Sequence, residues 1–151
     1  MERIASFQVD HNKLEPGLYL SRRDGDITTF DLRLKKPNTG NLLTNAEMHS
    51  VEHILATVLR GSAGDAVVYF GPMGCQTGFY FLFDSRRLTD SQAVEAVKSA
   101  LAAGVAWDGP MPGGSAVECG NYRNLDTSLA RSVCADYLSV IQDWTAERLA
   151  Y

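Results

Sequence analysis

Cysteine is scarce in this sequence: Cys75, Cys119 and Cys134 are far apart and odd in number, which excludes a disulfide-built scaffold and fits a reducing compartment. Positive charge is not in excess either. Fourteen Lys and Arg stand against eighteen Asp and Glu, a net charge of −4, so no sequence-independent grip on a phosphate backbone, and no nucleic-acid partner, is expected. No apolar run approaches the ~20 residues that span a bilayer, and the first residues lack the apolar stretch of a signal peptide. The expectation is a cytoplasmic protein with no membrane partner. Repeats, low-complexity tracts and charge blocks are absent, and the thirteen Gly and five Pro are spread over short connections. What is present is 151 residues, 45% hydrophobic and 21% charged, the balance of one globular domain over residues 1–151 with its own core.

Two runs, Leu18 to Arg23 and Ile27 to Lys35, flank Asp24-Gly25-Asp26, and Asp-Gly supplies the positive φ angles of a tight hairpin turn. The second run alternates: Phe30, Leu32 and Leu34 face a core, while Thr29, Asp31, Arg33 and Lys35 face the other way. Arg33 is therefore expected on the open face of a sheet. Ala66 to Phe70 and Gly78 to Phe83, rich in Val, Tyr and Phe, read as two more strands joined by a Gly-rich loop that carries Cys75.

Three helices carry start signals and a 3.6-residue apolar period. The first opens with the capping box Thr44-x-x-Glu47, has Met48, Val51, Leu55, Val58 and Leu59 as its apolar stripe, and is expected to end at Gly61. The second starts near Thr89-x-x-Gln92 and stops at Gly104. The third starts near Asp126, with Leu129, Val133, Tyr137, Val140 and Trp144 as its buried stripe. Strands first and mixed elements after predict a two-layer α+β fold, an antiparallel sheet of about four strands with helices packed on one face.

The chain has three histidines, and two of them fall four residues apart on the first helix. That spacing puts His49 and His53 one turn apart on the face opposite the Leu/Val stripe, where both reach one ion. With Glu52 they form His49-x-x-Glu52-His53, the inverted zincin order, in which two imidazoles hold a metal and the Glu works beside it. The plain alternative is an exposed polar helix face. A catalytic metal needs a third protein donor and keeps a further position open. Two thiols are candidates: Cys119, in a polar Gly-containing segment, and Cys75, in a loop whose flexibility can bring a thiol to a ligand. Cys134, beside Val133, reads as core filling. His11, alone in a coil, is expected at the surface.

With these residues placed, the chain resembles the S-ribosylhomocysteine lyase (LuxS) family from end to end. The resemblance rests on five blocks in order: Ser6-Phe7 through Asp10-His11, Phe30-Asp31-Leu32-Arg33 with Pro37-Asn38, His49-x-x-Glu52-His53, Gly71-Pro72-Met73-Gly74-Cys75-Gln76-Thr77-Gly78, and Glu118-Cys119-Gly120-Asn121-Tyr122. It implies His49, His53 and Cys119 as metal ligands, Glu52 and Cys75 as an acid/base pair, and Ser6, His11 and Arg33 as substrate contacts. It further implies a homodimer with active sites at the interface, and one divalent ion per chain, Fe(II) with Zn(II) or Co(II) as substitutes. The implied reaction cleaves S-ribosylhomocysteine to homocysteine and the autoinducer-2 precursor. Cleaving that thioether requires carbonyl migration followed by β-elimination, and every step is a proton transfer suited to a Lewis acid flanked by a thiolate and a carboxylate. Three departures from the family pattern lie on the substrate side: Tyr69 replaces a common Asp, Thr29 a common Lys, and residues 14–19 a Lys-Ala-Pro-Tyr run.

Two other readings compete. A metallopeptidase of the inverted-motif class would share the helix motif, but its usual third ligand is a carboxylate and its chain is longer. A non-catalytic metal-binding domain would close the site with four protein donors.

Overall fold

The computed structural model describes residues 1–151. After a single helical turn, α1 (Ala5–Gln8), come the strands β1 (Gly17–Asp24) and β2 (Ile27–Arg33). The long helix α2 (Asn45–Ala63) leads into β3 (Val67–Pro72) and β4 (Gly78–Asp84), and α3 (Asp90–Val105) and α4 (Thr127–Ile141) follow. The four strands form one antiparallel sheet in the order β1-β2-β4-β3. The two-layer α+β expectation is met. No helix is long and apolar enough to cross a membrane.

The β1–β2 hairpin closes over Gly25 and Asp26, with Asp24 paired to Ile27 and Gly25 at φ +58°, a backbone region glycine adopts without a Cβ penalty. One sheet face carries Leu18, Phe30, Leu32, Phe79, Phe81 and Phe83, all buried. Helices α2, α3 and α4 pack on one another and close over that face through one continuous apolar core. Each fully buried Leu, Ile or Phe there stabilises the fold by roughly 1.5–3 kcal/mol.

Both predicted capping boxes form: Thr44 with Glu47 on α2 and Thr89 with Gln92 on α3. Helix ends and stripes differ from the sequence reading. Helix α2 runs through Gly61 to Ala63, and the positive-φ residue that ends it is Gly64. Helix α3 passes Gly104 and caps at Ala106. Gly104 is small for packing instead, because a Cβ there would lie 2.6 Å from Cys134 Sγ. On α4 the buried positions are Ala130, Val133, Cys134, Tyr137 and Ile141, while Val140 is exposed and Trp144 lies past the helix.

The largest correction concerns the second sheet face. Arg33 is buried, 3% exposed, and Asp31 1%, so this face is not open around the two charges. Tyr19, Asp31 and Tyr80 share one cross-strand row. Tyr151 stacks on Tyr19 at 5.0 Å and donates its hydroxyl to Asp31 Oδ2 at 2.7 Å, covering the charges from above.

Candidate metal centre and cysteine turn

Helix α2 buries Val51, Ile54, Leu55 and Leu59, which turns His49, Glu52 and His53 the other way, half-buried. The segment after α3 then returns across this helix face and brings Cys119. Donor atoms of His49, His53 and Cys119 all lie within 4.8 Å of one another, with His49 Nε2 3.3 Å from Cys119 Sγ.

The outer partners show that this set fits a metal ion. His53 Nδ1 lies 2.8 Å from the Pro112 carbonyl; a carbonyl only accepts, so Nδ1 carries the proton and Nε2 keeps its lone pair. His49 Nδ1 meets Asn124 Oδ1, which fixes the same tautomer. Such outer acceptors orient ligand imidazoles in metal sites. The Asn121 backbone N–H donates to Cys119 Sγ at 3.5 Å, so the sulfur too has an outer partner. The group has three donors, and beside it a hollow of about 250 Å³ is lined by Asn45, Met48, His49, Glu52, Pro72 and Asn121. A trio of two imidazoles and a thiol, open on the side of a carboxylate, has the donor count of a catalytic rather than a structural metal site.

Cys75 sits elsewhere. It is exposed, on the turn between β3 and β4, and lines a second hollow of about 410 Å³ with His11, Asn38 and Thr77. The sequence suggested a loop made flexible by glycine; the turn is tightly held. Gln76, not a glycine, takes the positive φ of 65°. Gln76 and Leu43 exchange backbone and side-chain hydrogen bonds, Leu43 N to Gln76 O at 2.9 Å and Gln76 Nε2 to Leu43 O at 2.8 Å. Thr77 O accepts from both Leu34 N and Lys35 N.

Behind the turn, Arg33 donates from Nε and Nη2 to the two oxygens of Asp31, at 3.1 and 2.7 Å. Its Nη1 reaches Thr77 Oγ1 at 2.8 Å and Cys75 Sγ at 3.8 Å. Burial weighs against the Arg33 charge, but the Asp31 carboxylate more than offsets it and the guanidinium is held in its charged form. Burial first and Asp31 second push the Tyr151 hydroxyl well above the usual phenol range, so Tyr151 remains a donor.

Ser6 falls in a third hollow, of about 340 Å³, with Thr29, Tyr69 and Tyr80. His11, expected at the surface, is half-buried with Nδ1 2.8 Å from Val9 O. Cys134 is fully buried as expected, and burial pushes its thiol up to about 12. Thus the predicted residues fall into three groups within one chain: His49, His53, Cys119 and Glu52; Cys75, Arg33 and His11; and Ser6. The hydroxyl of Thr77, bridging Arg33 and Cys75, was missed. Its only sequence signal is its position two residues after Cys75.

These features define a class, an α+β domain with a metal-competent His-His-Cys centre beside a carboxylate. Residues 4–148 match the S-ribosylhomocysteinase (LuxS) family. Proteins named S-ribosylhomocysteine lyase from Finegoldia magna (41% identical, covering all of this chain and 99% of the relative) and Desulfotalea psychrophila (44%, covering 98% and 96%) align over nearly their full lengths. One of the same name from Borreliella burgdorferi is 40% identical, with 100% and 99% covered. The chain belongs to the S-ribosylhomocysteinase (LuxS) family and is a carbon–sulfur lyase by class.

Proposed function

We propose that the chain cleaves the thioether of S-ribosyl-L-homocysteine, giving L-homocysteine and 4,5-dihydroxy-2,3-pentanedione, the autoinducer-2 precursor. The observation that carries this reading is the three-donor group His49–His53–Cys119 open toward Glu52, in a chain of this family. One divalent ion is held by those three side chains. We take it as Fe(II), with Zn(II) or Co(II) able to replace it, since imidazole and thiolate together suit all three. When bound, the ion supplies Lewis-acid stabilisation of negative charge developing on substrate oxygens.

The chain's own residues move the protons. Cys75 takes carbon-bound protons as the carbonyl migrates along the sugar, and Glu52 protonates the departing sulfur at β-elimination. Ser6, His11 and Arg33 bind substrate. Cys75 and Glu52 line separate hollows of one chain, which supports a homodimer whose active sites lie at the interface and draw Cys75 and Glu52 from different copies. The exposed apolar side chains Ile4, Phe7, Val68 and Tyr69 are available to such an interface.

The decisive experiment incubates anaerobically purified protein with S-ribosylhomocysteine and titrates free thiol. Wild type releases thiol, and Cys75→Ala and Glu52→Gln each fall by ~100-fold or more while keeping their metal. A metal-loaded wild type that releases no thiol would sink the assignment. Mixing the two variants restores activity if the site is shared between copies; a fully active monomer in sedimentation excludes that arrangement.

A further inference from the structure

The stretch that carries His11 has few polar ties to the rest of the molecule, and one side chain supplies most of them. Residues 10–16 lie outside every helix and strand. Their bonds to one another are local: Lys13 N to Asp10 O at 3.0 Å and Asn12 N to Asp10 Oδ1 at 3.0 Å. Leu14 is buried, and Tyr19 donates its hydroxyl to Glu15 O at 2.9 Å. The other ties come from Lys36, whose Nζ donates to Asn12 O at 3.4 Å, Leu14 O at 3.2 Å and Glu15 Oε1 at 2.7 Å. An ammonium has three hydrogens and no lone pair, so these three acceptors saturate it. The Glu15 carboxylate is largely exposed, and a screened ion pair of that kind contributes little; the two carbonyls hold the main chain itself.

The backbone of Lys36 is fixed from the opposite side. Leu34 N and Lys35 N, just before it, both donate to Thr77 O on the cysteine turn, at 2.9 and 3.0 Å. Pro37, just after it, is buried and has its φ locked by the ring. Lys36 therefore joins the end of β2, pinned to the Cys75 turn, to a stretch otherwise held at Leu14 and Tyr19. The hollow of about 410 Å³ is lined from both: by His11 from the one, and by Pro37, Asn38, Cys75 and Thr77 from the other.

We propose that Lys36 is a positioning residue for His11: its ammonium, saturated by acceptors on residues 12–15, holds the His11 stretch against the end of β2 and sets where the imidazole stands in the hollow it shares with Cys75. The proposal rests on the reading of His11 as a substrate contact. The His11 ring is tied to its own backbone, with Nδ1 2.8 Å from Val9 O, so a shift of that backbone carries the imidazole with it. Lys36 has no hydrogen left to offer a substrate and acts through His11. Losing a contact that substrate and transition state share raises KM and leaves kcat in place.

The test uses the metal-loaded full chain with Lys36→Met, which keeps the stem and loses the ammonium, His11→Ala, and the double variant. KM for S-ribosylhomocysteine should rise by ~10-fold in Lys36→Met, the scale of a hydrogen bond to a charged group, with kcat and metal content unchanged. Hydrogen exchange followed by mass spectrometry, without substrate, should quicken over residues 10–16 and stay at the wild-type rate over α2 and β4. His11→Ala should raise KM by itself, and adding Lys36→Met to it should raise KM no further, a non-additivity that a merely structural role does not produce. A wild-type KM in Lys36→Met, or effects that multiply in the double variant, overturns the proposal. A measurement on the unsubstituted chain guards against a variant that does not fold. Acetic anhydride, with the sites mapped by mass spectrometry, should acetylate Lys36 ~10-fold more slowly than the exposed Lys13, because an amine must give up its hydrogen bonds before it attacks. Equal rates overturn the proposal. Exchange and acetylation are read without substrate and so test the Lys36 tie itself, whereas a wild-type KM in His11→Ala removes instead the reading of His11 as a substrate contact.

Discussion

His49 and His53 ride on a nineteen-residue helix that closes its own first turn with a capping box, whereas Cys75 rides on a short turn braced from below by a buried ion pair. The helix supplies spacing by itself, and its two imidazoles need only one outer acceptor each, Asn124 and Pro112. The turn has no such local rule. Its geometry depends on partners distant in sequence: Leu43, which exchanges hydrogen bonds with Gln76, and Arg33 on β2, itself held by Asp31, to which Tyr151 donates. Reactive groups on half-exposed positions of a secondary element are separable from stability; a group braced by fully desolvated charges is not.

That contrast can be broken from either side. Cys119→Ala should lose most of a content of about one ion per chain, and with it activity, because two donors remain where three are needed. Its urea midpoint, compared metal-free against metal-free, should stay at the wild-type value, since the thiol touches only His49 and a backbone N–H. If metal analysis showed Cys119→Ala fully loaded and Cys75→Ala empty, the two thiols would have exchanged roles. Asp31→Ala acts on the other region. It leaves the Arg33 charge buried without its partner, which costs about 3–5 kcal/mol, a large fraction of a typical domain's stability. A loss below about 1 kcal/mol in urea unfolding would mean that the pair is no brace. Thr44→Ala, removing the cap five residues before His49, should cost about 1 kcal/mol with metal content unchanged; loss of metal in that variant would show that the helix end and the site are coupled.

The helix-borne half of this comparison was legible in the sequence and the sheet-borne half was not, for a physical reason. Helical period, capping boxes and the four-residue spacing of His49 and His53 are local, so they survive without knowledge of the fold. The alternation of β2 correctly placed Arg33 and Asp31 on one face, but period two says only which residues share a face and not whether that face is wet. What covers it is Tyr151, some 120 positions away. Glycine misled for a related reason. Gly61 and Gly104 look like helix ends, yet the one is carried inside α2 and the other makes room for Cys134. Gln76 takes the left-handed conformation without being glycine because reciprocal bonds to Leu43 hold it there. The third helix's stripe was misplaced because Ile141 rather than Val140 faces the core, and small Ala130 and Cys134 do not announce themselves as core in a pattern read for large side chains.

The smallest effect expected comes from a carboxylate outside both regions, and it separates charge from packing. Asp84, at the end of β4, accepts two side-chain bonds from Arg86, at 3.1 and 2.9 Å, and the Arg86 backbone N–H at 2.9 Å. The Arg86 side-chain bonds, then its backbone bond, lower the Asp84 carboxyl to about 2. In the unfolded chain an Asp titrates near ~3.9. As pH falls below about 4, the unfolded state therefore takes up this proton first, and the contribution of Asp84 to stability is lost progressively until pH reaches about 2. Above that window the contribution is complete. Asp84→Asn keeps the shape and removes the titration, and all other carboxylates cancel between the two proteins. Urea midpoints of wild type and Asp84→Asn should thus differ at about pH 5 and converge toward about pH 2. A gap of the same size at both ends would assign the effect of the substitution to lost hydrogen-bond geometry rather than to the Asp84 charge.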